Sequence, residues 1–183
     1  MKHKIGVIVG SLREASFSKR FAKNLIELAS DEFELEIVPI GDLPLFNEDF
    51  DGDKAPEAYN EFRSKMKEKQ GFIFVTPEYN RSMPGCLKNA MDVGSRPKGQ
   101  SIWAGKPGMV ISLSQGNMSG FGANHHLRQV LVNLNVPTMP QPEIYLAKVQ
   151  EMVDAEGNIT NPKTTELLQK GLDSYANWFK KLS

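Results

Sequence analysis

The chain has 183 residues, enough for one domain that buries a sizeable core without disulfide or metal staples. Hydrophobic residues make up 40%, charged residues 24% and aromatic residues 9%, a balance that excludes a disordered chain. Lys plus Arg number 22 and Asp plus Glu 22, so the formal net charge is zero; the basic excess of a nucleic-acid binder and the acidic surface of a redox docking protein are both missing, which points to a small-molecule partner.

Cys86 is the only cysteine, so no internal disulfide can form and a reducing compartment is expected. After Met1-Lys2-His3-Lys4 only five uncharged residues precede Gly10, too few for a signal-peptide core. No run reaches the roughly 18 apolar residues of a membrane span. The expectation is a cytoplasmic protein with no membrane or nucleic-acid partner.

In chain order, short apolar runs bounded by turn residues read as strands buried on both faces: Ile5 to Val9, Phe33 to Ile40, Phe72 to Val75, Met109 to Leu113 and Ile144 to Leu146. Helical spacing falls between them. Phe21, Leu25 and Leu28 share a face within Ser18 to Ala29, and Tyr59, Phe62 and Met66 follow the same period within Pro56 to Lys69. Pro84 suits the first position of a helix through Leu87, Ala90 and Met91. Leu127, Val130, Leu131 and Leu134 mark a fourth helix, and Asn161 and Pro162 open a fifth through Leu168, Leu172, Tyr175 and Phe179. Strict alternation of strand and helix predicts one α/β domain over 1–183, a three-layer sandwich around a five-stranded parallel sheet; five strands suggest the flavodoxin-like order 2-1-3-4-5, which the sequence alone does not fix.

Ligands of such sheets bind beyond the carboxyl ends of the strands near the switch point, here between the first and third strands. The loop after the first strand runs Gly10-Ser11-Leu12-Arg13-Glu14-Ala15-Ser16-Phe17-Ser18. Its hydroxyls, its guanidinium and the free amides of the following helix suit a phosphate, whereas the bland alternative is a polar turn in which Ser16 or Ser18 only caps the helix. The loop has neither the Walker lysine pattern nor the Gly-x-Gly-x-x-Gly pattern; Gly120-Phe121-Gly122 comes late and has His125 where the third glycine belongs. A monophosphate is therefore favoured over ATP or a dinucleotide. The loop after the third strand, Thr76-Pro77-Glu78-Tyr79-Asn80-Arg81-Ser82-Met83-Pro84-Gly85, offers backbone amides and the Tyr79 ring to a flat heteroaromatic, or else is a turn that uses Asn80, Pro84 and Gly85 for geometry alone.

Gly10-Ser11-Leu12-Arg13 with Ser16 and Ser18, then Thr76-Pro77-Glu78-Tyr79-Asn80, then Pro84-Gly85-Cys86-Leu87-Lys88-Asn89-Ala90-Met91-Asp92, resemble the NADPH-dependent FMN reductase family. That family includes quinone, chromate and azo-dye reductases of flavodoxin-like fold. Leu43-Pro44-Leu45-Phe46-Asn47-Glu48-Asp49 and Ser95-Arg96-Pro97 extend the likeness over nearly the whole chain. It departs at Cys86, where many relatives have Gly or another small residue, and at Val93-Gly94, where a Trp often follows the Asp.

The resemblance implies that Ser11, Arg13, Ser16 and Ser18, with the amide of Phe17, hold the FMN phosphate. It implies that Pro77, Glu78, Tyr79 and Asn80 line the isoalloxazine and that Ser114 and Gly116 close the other side. No protein catalytic residue and no metal ligand is assigned, because the flavin carries the chemistry. The implied activity is a two-electron, ping-pong transfer from NADPH or NADH to a small acceptor such as a quinone, azo compound, chromate or flavin, by a homodimer or homotetramer. The alternative is a non-enzymatic FMN-binding electron carrier, which usually docks its partner through a single-sign face.

The remaining chemistry-bearing residues read more plainly. His125 and His126, adjacent on a helix, point about 100° apart and suit surface or interface positions better than one metal ion. Cys86 reads as a small packing residue. Glu48, Asp49, Asp51 and Asp53 read as a solvated acidic loop. Met83, Trp103 and Phe121 fall in expected loops and read as exposed apolar groups of an interface.

Overall fold

The structure is a computed structural model that describes residues 2–182. Strands β1 (His3–Val9), β2 (Phe33–Val38), β3 (Gly71–Pro77), β4 (Gly108–Leu113) and β5 (Ile144–Leu146) form one five-stranded parallel sheet in the order β2-β1-β3-β4-β5. The helices are α1 (Phe17–Leu28), α2 (Glu57–Lys67), α3 (Gly85–Gly94), α4 (Phe121–Asn133) and α5 (Pro162–Leu182). The parallel sandwich is as the alternation of elements predicts, and the strand order is the flavodoxin-like one that five strands suggest. The boundaries shift in detail: β2 stops at Val38, β3 extends through Pro77, and α4 starts six residues before Leu127.

The alternation of side chains along each strand builds the two outer layers. Ile5, Val7, Val9, Ile73, Val75, Met109 and Ile111 pack on one face against Phe21 and Leu25 of α1 and Leu168, Leu172 and Tyr175 of α5. Ile8, Phe72, Phe74 and Val110 pack on the other face with α2, α3 and α4. Strands β1, β3 and β4 lie inside the sheet and are buried along nearly their whole length, whereas the edge strand β2 is exposed at Glu34 and only half-buried at Glu36 and Ile37.

Two sequence expectations are corrected here. Trp103 is fully buried and Met83 nearly so, so neither is an exposed interface group. Trp103 lies 4.9 Å from the Phe72 ring, and its Nε1 donates to the Met91 carbonyl at 3.0 Å. Gly94 leaves the space it needs, because a Cβ there would fall 2.5 Å from that nitrogen. Phe121 alone of the three stays half exposed. The acidic run is likewise not all solvated. Asp51 accepts from Arg63 Nη2 at 2.8 Å, with the two side chains only 12% and 6% exposed. Arg63 also donates through Nε to the Val93 carbonyl at 2.9 Å and lies over the Tyr59 ring, which ties the loop after β2 to α2 and α3. A carboxylate in an acidic loop gives no sequence sign that a buried guanidinium awaits it.

Asp51→Ala strands that guanidinium and should cost about 3 kcal/mol, whereas Asp53→Ala should stay within about 0.5 kcal/mol; chemical denaturation of the two variants checks this. Glu36 accepts hydrogen bonds from Lys65 and Lys69, which hold its carboxyl below the usual 4.5. A depressed folded-state pKa stabilises above 4.5 and is lost as the pH falls through the lower folded value. Wild-type stability should therefore fall more steeply than that of Glu36→Gln in acid melts below about pH 4.5.

Candidate functional site

The carboxyl ends of β1, β3 and β4 meet at one edge of the sheet, and the loops leaving them enclose a cavity of about 160 Å³. Gly10 permits the closeness: its amide donates to the Val75 carbonyl at 2.9 Å, and a Cβ there would fall 2.8 Å from Thr76 Oγ1. Ser11, Arg13, Ser16, Phe17 and Ser18 line one wall, Pro77, Glu78 and Tyr79 a second, and Leu113, Ser114 and Gln115 a third, with Val149 from the segment after β5.

The first wall is a helix start. Ser16 is the N-cap of α1, and its Oγ accepts from the Lys19 amide at 3.3 Å. The amides of Phe17 and Ser18 have no acceptor within the helix. Ser11, Ser16 and Ser18 are 5%, 2% and 1% exposed, while Arg13 is exposed at the rim. The capping reading and the phosphate reading of Ser16 are thus compatible, because one hydroxyl can accept from Lys19 and donate outward.

The second wall is a tight hairpin. Tyr79 and Ser82 exchange both backbone bonds, at 2.9 and 3.0 Å, around Asn80 and Arg81, whose φ values are 50° and 67°. Two successive positive φ angles define the mirror-image turn that suits a right-twisted hairpin. Asn80 and Arg81 sit at its exposed tip, and Tyr79 is half exposed. The Glu78 carboxylate accepts from the Ala123 amide of α4 at 3.1 Å.

In the third wall Ser114 Oγ donates to the Gly116 carbonyl at 3.0 Å, and the Val149 amide donates to the Ser114 carbonyl at 3.2 Å. The structure thus brings Ser11, Arg13, Ser16, Phe17, Ser18, Pro77, Glu78, Tyr79 and Ser114 around one cavity, and leaves Asn80 at the hairpin tip and Gly116 in the exposed turn, outside its lining. Leu113 and Val149 were not expected at the site, and Gln115 was placed in the loop beside Ser114 without a role. Gln115 follows directly on the strand end and was legible by position; Val149 was not, because only the tertiary fold carries the chain after β5 back to the site.

The other singled-out residues lie elsewhere. The imidazoles of His125 and His126 part company: His125 Nε2 meets the Tyr145 hydroxyl at 3.1 Å, and His126 Nδ1 meets Ser82 Oγ at 2.9 Å. Cys86 is half-buried near the start of α3, and burial pushes its thiol up from 9.0, which makes it a poor nucleophile. A larger hollow of about 1040 Å³ runs between α3 and α4, bordered by Met83, Lys88, Asp92, Arg96 and His126. Helix flanks form it rather than strand ends, and the set of buried hydroxyls and free amides suited to an anion is in the smaller cavity.

A doubly wound parallel sheet, with free helix amides and buried hydroxyls after its first strand and a hairpin after its third, defines a flavodoxin-like protein whose site suits a nucleotide. The family model for NADPH-dependent FMN reductase matches residues 3–151, and the chain belongs to that family. It is 49% identical over 178 residues to a quinone reductase of Pseudomonas putida, covering 97% of this chain and 95% of that one. It is 46% identical to a 2-hydroxy-1,4-benzoquinone reductase of a Burkholderia species, covering 98% of both. The flavoenzyme NAD(P)H:(acceptor) oxidoreductase FerB of Paracoccus denitrificans superposes with a TM-score of 0.91 at 37% identity, covering 98% of both chains. The chain is accordingly an NAD(P)H-dependent oxidoreductase with FMN as cofactor. The residues present fit that group: buried hydroxyls, orphan amides and one guanidinium for a phosphate, and a hairpin beside them for a flat ring.

Ser16→Ala removes the acceptor for the Lys19 amide and should destabilise the protein by about 1 kcal/mol in thermal or urea unfolding. It should also loosen FMN in a fluorescence titration.

Proposed function

We propose that this protein reduces small quinones with electrons from NADPH or NADH, in ping-pong order at one FMN. The reading rests on one observation above all: Ser11, Ser16 and Ser18, the first-turn amides of α1 and Arg13 share a cavity with the Tyr79 hairpin. The quinone-reductase names of the two relatives at 49% and 46% identity support the acceptor class. Azo compounds, chromate and free flavin are further acceptors of the same two-electron chemistry.

Ser11, Ser16 and Ser18 donate hydroxyl hydrogen bonds to the phosphate, the Phe17 and Ser18 amides add two more, and Arg13 supplies the compensating positive charge from the rim. FMN held by these residues would supply the hydride and two-electron chemistry that links a nicotinamide donor to a quinone, with the hydroquinone as product. The protein orients this chemistry rather than reacting itself. Of the backbone groups of Pro77, Glu78, Tyr79 and Asn80, Pro77 has no N–H and the Tyr79 amide donates to Ser82, so the amides of Glu78 and Asn80 are the ones that would stabilise negative charge on the reduced ring. The cavity is well below the roughly 300–1,000 Å³ of an enclosing ligand pocket, so it would hold the phosphate end and leave the ring at the open mouth. A ring at that mouth would be open to the donor and then to the acceptor, which is consistent with a ping-pong order.

Assembly as a homodimer or homotetramer is part of the same proposal. Phe121, Met118 and Val132 remain 50%, 54% and 76% exposed on or beside α4, apolar surface that a second copy would cover. Light scattering at micromolar protein should give at least twice the monomer mass.

The deciding experiment is a visible spectrum of FMN-loaded protein before and after anaerobic NADPH. The yellow band should bleach, and benzoquinone should restore it. Bound flavin that NADPH cannot bleach would favour the electron carrier. Arg13→Ala should raise the FMN dissociation constant about 10- to 100-fold, the range of one charge-assisted hydrogen bond. An unchanged constant would place the phosphate elsewhere.

A further inference from the structure

We infer that Glu78 is a positioning residue: its carboxylate straps the hairpin after β3 to the first turn of α4, and so holds two walls of the flavin site in register. The inference rests on the flavin reading above, but it assigns the side chain of Glu78 to α4 and leaves the ring to the backbone.

The start of α4 lacks an acceptor of its own. Its N-cap is Gly120, at φ 72°, with no side chain to receive an amide. The Phe121 amide turns back to the Met118 carbonyl and the Asn124 amide reaches the Gly120 carbonyl, at 2.9 and 3.0 Å. The Ala123 amide instead donates to Glu78 Oε2, 45 residues away in sequence, at 3.1 Å. The Glu78 side chain is only 13% exposed, and its one cationic neighbour, Arg81 Nη1, stands 3.9 Å off and is mostly in solvent. An anion at a helix N-terminus is favoured by both the free amides and the helix dipole. Glu78 therefore caps α4 from another loop.

The contact is close along its whole length. A Cβ at Gly122 would fall 2.6 Å from the Arg81 carbonyl oxygen and 3.0 Å from Glu78 Oε2, so the hairpin backbone lies directly on the helix and only glycine fits. One turn further, Ser82 Oγ meets His126 Nδ1 at 2.9 Å. Gly122, Ala123 and His126 occupy one side of α4 at helical spacing. On the other side the helix is rooted in β4: buried Asn124 donates to Ser112 Oγ at 3.1 Å, and Ser112 Oγ donates to the Ser119 carbonyl at 2.9 Å. The chain of contacts runs from the hairpin through Glu78 to α4, and from α4 through Asn124 to the strand that carries Ser114. Cutting it at Glu78 removes the carboxylate tie between the hairpin and the first turn of α4, and leaves the β3–β4 pairing, the Ser82–His126 contact and the start of α1 in place.

The test compares Glu78→Ala, Glu78→Gln and Gly122→Ala with wild type. It uses amide hydrogen exchange of the full chain with and without FMN, FMN affinity by fluorescence, and visible circular dichroism of the bound flavin. Glu78→Ala should release the Ala123 amide and residues 79–82 to exchange, weaken FMN about tenfold and alter the flavin dichroism. Glu78→Gln keeps an acceptor oxygen and should restore affinity to within about threefold, with the wild-type dichroism. Gly122→Ala should reproduce Glu78→Ala while leaving the carboxylate in place, and carries the test if Glu78→Ala does not fold. Unchanged Ala123 protection and FMN affinity in Glu78→Ala would overturn the inference. So would equal losses in the Ala and Gln variants with Ala123 still protected, which would put the carboxylate on the flavin itself. If wild type takes up no FMN, the flavin reading fails first, and with it the positioning role, whatever exchange shows at Ala123.

Discussion

The close approach of β1 and β3 at their carboxyl ends is the constraint on which the site depends. Both strands are buried on both faces, so neither can slide without moving a whole row of side chains from one core layer to the other. Gly10 lets the end of β1 pass within contact of Thr76, and that contact puts the start of α1 beside the hairpin that begins at Pro77. A side chain at residue 10 would wedge these two walls apart. The parallel sheet does the rest: with every strand pointing the same way, all the loops that line the cavity leave the same edge.

The site gathers binding strength without gathering charge. A chain of zero net charge exerts no long-range pull of one sign on a phosphate, so in the proposed site the attraction would be local: two helical amides, three buried hydroxyls and one rim guanidinium. Such groups are already ordered by capping and burial, and little freedom is lost when a ligand arrives. The same economy holds at the ring. The hairpin is stiffened by its own Tyr79–Ser82 bonds and by contact with α4, so its backbone dipoles need not reorganise as charge develops. Flavin chemistry asks the protein for orientation, and an oriented backbone provides it.

Buried polar contacts elsewhere serve the same rigidity from a distance. Arg63 and Asp51 fasten the long loop after β2, and Asn89 reaches from α3 to the Leu43 and Pro44 carbonyls and to the Phe46 amide in that loop. Trp103 fills the space that Gly94 leaves open and fixes the segment that leads into β4. None of these residues lines the cavity; they fix the loop after β2 against α2 and α3 and the segment that leads into β4.

Local pattern was enough for most of this architecture. The apolar runs from Ile5, Phe72 and Met109 could be buried only on two faces, and the helices between them left little choice but a parallel sheet. The hydroxyl-rich segment from Ser11 to Ser18 and the Pro77 to Asn80 segment were legible as walls of one site because the topology forces both to the same edge, and a local run of residues carries that information. Contacts between distant residues were not legible. Nothing in the spacing of Trp103 showed that Gly94 would make room for it, or that Asp51 would leave solvent for Arg63. The partition of Glu78 between flavin and helix depended on where the first turn of α4 comes to rest. Periodicity encodes which face of an element is buried; which distant group fills a particular gap or caps a particular amide is decided only when the packed layers meet.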